Sequence, residues 1–189
     1  MNQNDLRVIK TEQLIKQAFY DLLKDNTFNK ITISDIAGKA RINRATFYMH
    51  YQDKFDLLSN LENEVMEDMT TIILPVTRES ILACKKTGLP IPHIVKLLSY
   101  IEDNHQPFFY LLANDNIGLS FYEKMSEKFH KKVFEMLPEL NSDEIFKKYF
   151  RNIEISIVSS IINQWVKTNM KESKDEIASL ITKMIFAYL

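Results

Sequence analysis

The 189-residue sequence predicts an all-α protein with an N-terminal three-helix domain and a C-terminal helical bundle. Only 3 Gly and 5 Pro interrupt long stretches of helix-forming residues, in a chain that is 46% hydrophobic. Apolar residues also recur at helical spacing along most of the chain. We expect one domain at residues 1–54 and a larger one at residues 55–189.

The first predicted helix carries an apolar stripe and ends near residues 26–29. The stripe consists of Leu14, Ile15, Ala18, Phe19, Leu22 and Leu23. Phe28 and Ile31 follow, and we expect them to pack beneath the next two helices.

Residues 32–43 predict a short capped helix followed by a tight turn. Thr32 and Asp35 have the spacing of a capping box, which begins the helix at about residue 33. The inner face is formed by Ile33, Ile36, Ala37 and Ala40. These side chains let a second helix approach closely, and Asn43 offers a cap for that helix.

The second helix, predicted at residues 44–51, presents polar side chains outward. Its inner face is Phe47 and Tyr51, which lie one helical turn apart. The outward residues are Arg44, Ala45, Thr46, Tyr48 and His50. Two capped helices separated by roughly three residues match the helix-turn-helix geometry, in which the second helix lies in the major groove of DNA.

Side chains at the start of this helix suit base recognition. The Arg44 guanidinium can pair with guanine O6 and N7. Asn43 and Thr46 can hydrogen-bond bases or phosphates, and the Ala45 methyl can lie against a thymine methyl.

Four further residues suit phosphate contacts, which fix the register of a protein on DNA without reading sequence. These residues are Thr32, Tyr48, His50 and Lys54. An alternative for the whole segment is a small three-helix packing unit with a polar outer surface.

Three segments between Ile15 and Leu58 are more restrictive than a generic helix-turn-helix pattern. They are ThrIleSerAspIleAla at 32–37, IleAsnArgAlaThrPheTyrMetHisTyr at 42–51 and AspLysPheAspLeuLeu at 53–58. This stretch resembles the DNA-binding domain of the TetR family of transcriptional regulators. The resemblance implies base contacts from Asn43, Arg44 and Ala45, and the four phosphate contacts above.

Arg41 departs from the pattern of that family, which usually has Gly at this position. If the turn keeps a positive φ, Arg41 bears a backbone penalty on the order of 1 kcal/mol. Arg41 either offsets this penalty by reaching a phosphate, or the turn is shaped differently.

The net charge of −1 is unevenly distributed. Residues 1–54 hold 9 Lys and Arg against 6 Asp and Glu, whereas the remainder holds 15 against 19. The basic end therefore carries the motif, which is the sign expected for phosphate attraction, although charged residues also simply solvate a surface.

Proline and glycine divide the rest of the chain. Helices are predicted at residues 53–73, 76–86, 92–104, 107–115 and 119–137. The boundaries are Pro75, Gly88, Pro90, Pro92, Pro107 and Pro138.

The last fifty residues predict a helix pair with more apolar surface than one domain can bury. A helix at 143–168 is apolar around most of its circumference, and Ser173 with Glu176 forms a capping box for a final helix. The economical solution is a two-fold symmetric four-helix homodimer interface. Its expected residues are Ile153, Ile157, Ile161, Ile177, Ile181, Met184 and Ile185. The alternative is a core helix covered within the monomer.

The C-terminal half carries three looser landmarks. They are TyrIleGluAspAsn at 100–104, PhePheTyrLeuLeu at 108–112 and GlnTrpValLys at 164–167. They resemble the Firmicutes-type C-terminal domain of the TetR family, like that of dihydroxyacetone kinase regulators. The wider family commonly encloses a small-molecule pocket there, whose ligand changes the separation of the two DNA-binding heads. Candidate lining residues are Tyr100, Phe108, Phe109, Tyr110, Phe121, Tyr122 and Trp165, although such an aromatic cluster also suits a plain core.

Signals for other classes of protein are weak. The four His residues lack ligand spacing, and no HisGluxxHis, Gly-rich phosphate loop or GlyxSerxGly motif is present, so we expect no enzyme, cofactor or metal. Cys84 is the one cysteine, which favours a reducing cytoplasm. No apolar run approaches the ~18 residues of a membrane span, and the first residues lack a signal-peptide core, so we expect a cytoplasmic protein without a membrane partner.

The sequence therefore favours a ligand-responsive homodimeric repressor that binds a palindromic DNA operator. A second reading is a regulator whose C-terminal domain binds a protein co-regulator and activates transcription. A remote third is an all-α enzyme or interaction module without DNA binding.

Overall fold

A computed structural model describes residues 3–105, 112, 117–136, 138 and 144–187, which form helices and connecting turns without strands. The predicted all-α class is confirmed. The chain divides into two compact units, Met1–Val65 and Met66–Leu189.

The N-terminal unit is built around the predicted helix pair. Its elements are α1 (Gln3–Leu23), a 3₁₀ turn (Phe28–Lys30), α2 (Ile33–Ala40), α3 (Arg44–His50) and the first part of α4 (Lys54–Ile73). Helix α2 packs against both α1 and α3. Large side chains from every element are fully buried between them: Ile15, Phe19, Phe28, Ile36, Phe47, Leu57 and Leu61. This core fixes how α3 is presented.

The C-terminal unit contains a second set of packed helices. They are α5 (Arg78–Thr87), α6 (Pro92–Tyr100) with a π-helical turn (Ile101–His105), α7 (Ile117–Met136), α8 (Glu144–Lys167) and α9 (Lys174–Ala187). Helix α9 packs against α6 and α8, and α7 packs against α8. The predicted helix at 107–115 lies outside the described residues apart from position 112.

The connection between α8 and α9 is a compact turn held by side chains. Asn169 and Met170 both have φ of 54°. The indole N–H of Trp165 donates to the Glu172 carbonyl at 2.8 Å. The capping box predicted to open α9 is confirmed, because Ser173 and Glu176 exchange side-chain and backbone hydrogen bonds. These contacts place α8 and α9 side by side.

Candidate nucleic-acid interface

The capping box at the start of α2 is confirmed. The Thr32 hydroxyl donates to the Asp35 carboxylate at 2.6 Å, and it accepts from the Asp35 backbone N–H at 3.2 Å. Hydrogen bonds from Thr32 hold the pKa of Asp35 below its ordinary value. Since the hydroxyl hydrogen of Thr32 is engaged, a phosphate contact from this hydroxyl requires that hydrogen to leave Asp35.

The turn after α2 is left-handed at Arg41. Its φ and ψ are 56° and 41°, and the N–H groups of Arg41 and Ile42 donate to the carbonyls of Gly38 and Ala37. The positive φ expected for the usual Gly is therefore kept, and the alternative of a differently shaped turn is wrong. The Arg41 side chain is exposed.

Asn43 caps α3 with a single oxygen. Its Oδ1 accepts from the backbone N–H of Thr46 at 2.7 Å and from the Thr46 hydroxyl at 2.9 Å. Among the described residues, the side-chain amide hydrogens of Asn43 have no partner. The amide N–H groups of Asn43 are thus available to an external acceptor, whereas Thr46 already uses its hydroxyl hydrogen within the cap.

Helix α3 is anchored by the two predicted inner residues. Phe47 is completely buried and Tyr51 is 4% exposed, with their ring centroids 5.8 Å apart. The predicted inner face of the helix is therefore confirmed, and it leaves the opposite face to solvent.

The outward face of α3 carries Arg44, Ala45 and Tyr48, as expected. The Arg44 guanidinium lies 6.0 Å from the centroid of the Tyr48 ring, and its Nη2 donates to the Tyr48 hydroxyl at 3.4 Å. Met49, which was not among the predicted contacts, is 82% exposed on the same side. The sequence did contain a signal for Met49, because it lies four residues after the outward residue Ala45 and so on the same face of the helix. His50 is half-buried against Tyr51.

Lys54 takes a different role from the predicted phosphate contact. Its ammonium group donates to the carbonyls of Phe28 at 2.9 Å, Asn29 at 3.1 Å and Ile31 at 2.9 Å. Its Nζ also lies 4.7 Å from the centroid of the Phe28 ring and 5.7 Å from that of Phe55. An ammonium has three donors, and all three are used here. Lys54 therefore fastens α4 to the 3₁₀ turn, and its ammonium group has no donor left for a phosphate.

The candidate effector residues that the structure describes are buried in the core or hydrogen-bonded within the protein. Phe108, Phe109 and Tyr110 lie outside the described residues. Phe121 and Trp165 are buried core residues. The hydroxyls of the remaining two tyrosines are bonded within the protein, Tyr100 to Asp68 at 2.9 Å and Tyr122 to Asn163 at 2.6 Å. Burial raises the pKa of Tyr122.

An open apolar groove lies on α8 and α9. Its lining residues are Tyr149, Ser156, Ile157, Ser160, Ile161, Leu180 and Met184. Three of them were predicted for the dimer interface: Ile157, Ile161 and Met184. The other four, Tyr149, Ser156, Ser160 and Leu180, were not predicted. Of these, Tyr149 is 59% exposed and Leu180 is 44% exposed.

Two predicted interface residues belong to the monomer core instead. Ile177 is 7% exposed and Ile181 is 1% exposed. They lie on the buried side of α9, which packs against α6 and α8, so Leu180 faces outward in their place. Ile185 is half-buried, and the side chain of Ile153 lies outside the described set.

Within the described residues, no group of His, Cys, Asp or Glu could hold a metal ion. None of the described helices combines the length and apolar character needed to cross a bilayer.

A capped helix pair whose second helix turns Arg44 and Tyr48 outward defines the class of helix-turn-helix proteins. A family model described as the C-terminal region of TetR-type transcriptional regulators matches residues 90–187. The chain belongs to the TetR family of transcriptional regulators.

Known relatives agree with this assignment. An HTH-type transcriptional regulator of Bacillus subtilis, YxbF, is 22% identical over 176 residues, which cover 92% of this chain and 44% of YxbF. The dhaKLM operon transcriptional activator DhaS of Lactococcus lactis is 40% identical over 65 residues, which cover 34% of this chain and 35% of DhaS. This chain therefore spans less than half the length of these curated relatives.

The fold is also found in a TetR transcriptional regulator from Streptococcus agalactiae. That structure superposes with a TM-score of 0.67 at 24% identity, over 96% of this chain and 97% of the other.

Proposed function

We propose that this regulator binds a specific DNA operator by inserting α3 into the major groove. The outward face of α3 carries the proposal, because Arg44 and Tyr48 are exposed there and contact each other. A guanidinium held over an aromatic ring is partly ordered before DNA arrives, which lowers the entropy lost on binding.

The chemistry of each candidate DNA contact suggests its role. Arg44 pairs with guanine, Asn43 donates from its unengaged amide, and the Ala45 methyl contacts thymine. Tyr48 and His50 contact phosphates, and the exposed side chain of Arg41 is a third phosphate ligand.

The proposed assembly is a homodimer formed through the α8–α9 groove. The groove is apolar and open in a single chain, and a second copy related by two-fold symmetry covers it with the same residues. Two copies of α3 then meet half-sites separated by about 34 Å, which makes a palindromic operator the expected target.

We further propose that the C-terminal domain, counted from residue 55, receives the regulatory signal. In the favoured form, the protein is a repressor whose affinity for the operator changes when a small molecule binds. In the alternative form, a protein co-regulator binds this domain and transcription is activated. The relative DhaS, whose name describes a transcriptional activator, favours keeping this alternative.

Selection of bound sequences from a random pool of DNA duplexes tests the operator proposal. We expect a palindromic winner whose half-sites contain a guanine that Arg44 requires. A double variant, Arg44→Ala with Tyr48→Ala, should lose the preference while remaining folded by circular dichroism. No enrichment by the wild-type protein at moderate salt would overturn the proposal.

Measuring operator affinity with a panel of small molecules separates the two regulatory forms. A compound that shifts affinity several-fold supports the ligand-responsive form. An affinity that changes only when a second protein is added supports the co-regulator form.

A further inference from the structure

Two rows of exposed side chains run along the outward face of α3. Arg44 and Tyr48 lie about one helical turn apart and contact each other, and both are polar. Ala45 and Met49 have the same spacing on the adjoining line of the helix, and both are apolar and exposed. The face that we propose to enter the major groove therefore has a polar row and an apolar row.

Met49 is the most exposed large apolar side chain in the described part of the chain, at 82%. The fold gains little from it, because α3 is held from the other side by the burial of Phe47 and by the Asn43 cap. Single exposed apolar residues are common on protein surfaces, so exposure alone assigns no role. The assignment rests on where Met49 lies, in line with Ala45 and next to Tyr48 in the chain.

The chemistry of a thioether favours a base over a phosphate. Tyr48 and His50, on either side of Met49, carry hydrogen-bond donors, whereas the sulfur of methionine is only a weak acceptor. The apolar group that bases display in the major groove is the C5-methyl of thymine. Contact between the Met49 side chain and that methyl group removes apolar surface of both from water, which favours binding.

We propose that Met49 is a specificity-determining residue, which recognises the methyl group of one thymine in each operator half-site. Its side chain is long, flexible and polarisable, so it reaches a methyl group that the short Ala45 side chain does not. Arg44 then selects a guanine, and Met49 selects a thymine beyond the one assigned to Ala45. This inference rests on the proposed function.

Replacing thymine by deoxyuridine tests the contact, because it removes the methyl group and keeps the base pair. Each thymine of one selected half-site is replaced in turn, and binding is measured by fluorescence anisotropy. We expect wild-type affinity to fall about fourfold at the thymine that Met49 contacts, the size expected for one buried methyl-sized group.

The variant Met49→Ala completes the comparison. Its affinity for the unmodified operator should fall by more than this factor, since both copies of the side chain are lost. Replacement of the thymine that Met49 contacts should then have no further effect, whereas the effect at the thymine assigned to Ala45 should remain.

Two variants serve as controls. Met49→Leu keeps an apolar side chain of similar volume, so it should still distinguish thymine from deoxyuridine. Leu89→Ala removes a side chain that is 61% exposed and lies outside α3, so it should bind every duplex as the wild-type protein does. The melting temperature of Met49→Ala should match that of the wild-type protein, because the Met49 side chain is largely in water.

The outcome for Met49→Ala decides the proposal. A variant that keeps the full thymine preference at every position would overturn it, as would a wild-type half-site that contains no thymine or tolerates deoxyuridine throughout. In each of these cases an operator has been selected, so the proposed function stands and this inference fails alone. If wild-type protein selects no operator, the proposed function fails.

Discussion

The outward face of α3 and the groove on α8 and α9 are both open to solvent, but they are organised by different forces. On α3, polar side chains are already bonded to one another, as Arg44 is to Tyr48 and Thr46 is to Asn43. The groove is lined mainly by apolar groups such as Ile161 and Leu180. Short-range hydrogen bonds therefore order the side chains on the face of α3, whereas the shape of the groove depends on how α8 and α9 pack.

This difference explains why a short stretch of sequence predicts the outward face of α3 but not that of α9. A cap and an inner pair of aromatic residues determine the outward face of α3 within about ten residues. The outward face of α9 depends on its rotation against α6 and α8, which contacts far apart in the sequence decide. Four variants test this contrast, in order of decreasing effect.

Placing a charge in the groove should have the largest effect. Leu180→Glu puts a carboxylate into the apolar contact of each copy, so we expect the dimer dissociation constant to rise at least about 100-fold, measured by sedimentation equilibrium. Leu89→Glu, at a residue 61% exposed and outside the groove, is the control and should leave the dimer intact. A Leu180→Glu protein that dimerises normally would rule out this groove as the interface.

Removing the guanidinium from α3 should be next. Arg44→Ala loses its guanine pair, so we expect the affinity for the selected operator to fall roughly 10- to 100-fold, while affinity for unrelated duplexes changes little. Lys24→Ala removes the same charge from a residue beyond the end of α1 and should preserve the preference. A uniform loss for all duplexes would instead assign Arg44 to a phosphate.

A variant of Lys54 tests whether this residue stabilises the fold or contacts DNA. Lys54→Met leaves three backbone carbonyls without their cationic donor, so the free energy of unfolding should fall by about 2 kcal/mol in urea titrations. Lys30→Met, at an exposed lysine in the 3₁₀ turn, should change it by less than about 0.5 kcal/mol. Normal stability with a weaker salt dependence of DNA binding would restore the phosphate role.

Substitutions at two left-handed residues, Arg41 and Asn169, should give the smallest effects. Arg41→Gly removes a strained φ of 56°, so thermal unfolding should show a gain of up to about 1 kcal/mol, accompanied by weaker operator binding. Asn169→Gly relieves the same kind of strain in the α8–α9 turn and should gain less, since Asn tolerates this conformation better. Its DNA affinity should not change. Undiminished affinity in Arg41→Gly would contradict a phosphate contact from Arg41.

Much of the DNA-binding unit was predictable because its signals are local. Thr32 with Asp35, and Asn43 at the next helix, identified both caps, and Phe47 with Tyr51 identified the inner face. The role of Lys54 was not predictable, since its three carbonyl partners lie more than twenty residues earlier in the chain. A lysine near DNA and a lysine that closes a turn have the same local sequence.

In the C-terminal unit, the sequence located the helices better than their faces. The helix pair and the Ser173 cap were predicted, but Ile177 and Ile181 were assigned to the dimer interface, because apolar residues occupy most sides of the pair. When apolar residues surround a helix, periodicity alone cannot select the exposed side. Leu180 could be identified only from the packing of α9 against its neighbours.

Helix α3 is already formed in the free protein, and this affects the thermodynamics of DNA binding. A helix of 7 residues is unstable on its own in water, but here the Asn43 cap and the burial of Phe47 keep it formed in the free protein. Association with duplex DNA then requires no coil-to-helix folding of this segment. Calorimetry across temperatures should yield a heat-capacity change matching only the apolar area covered at the contact, without the larger value that accompanies coupled folding.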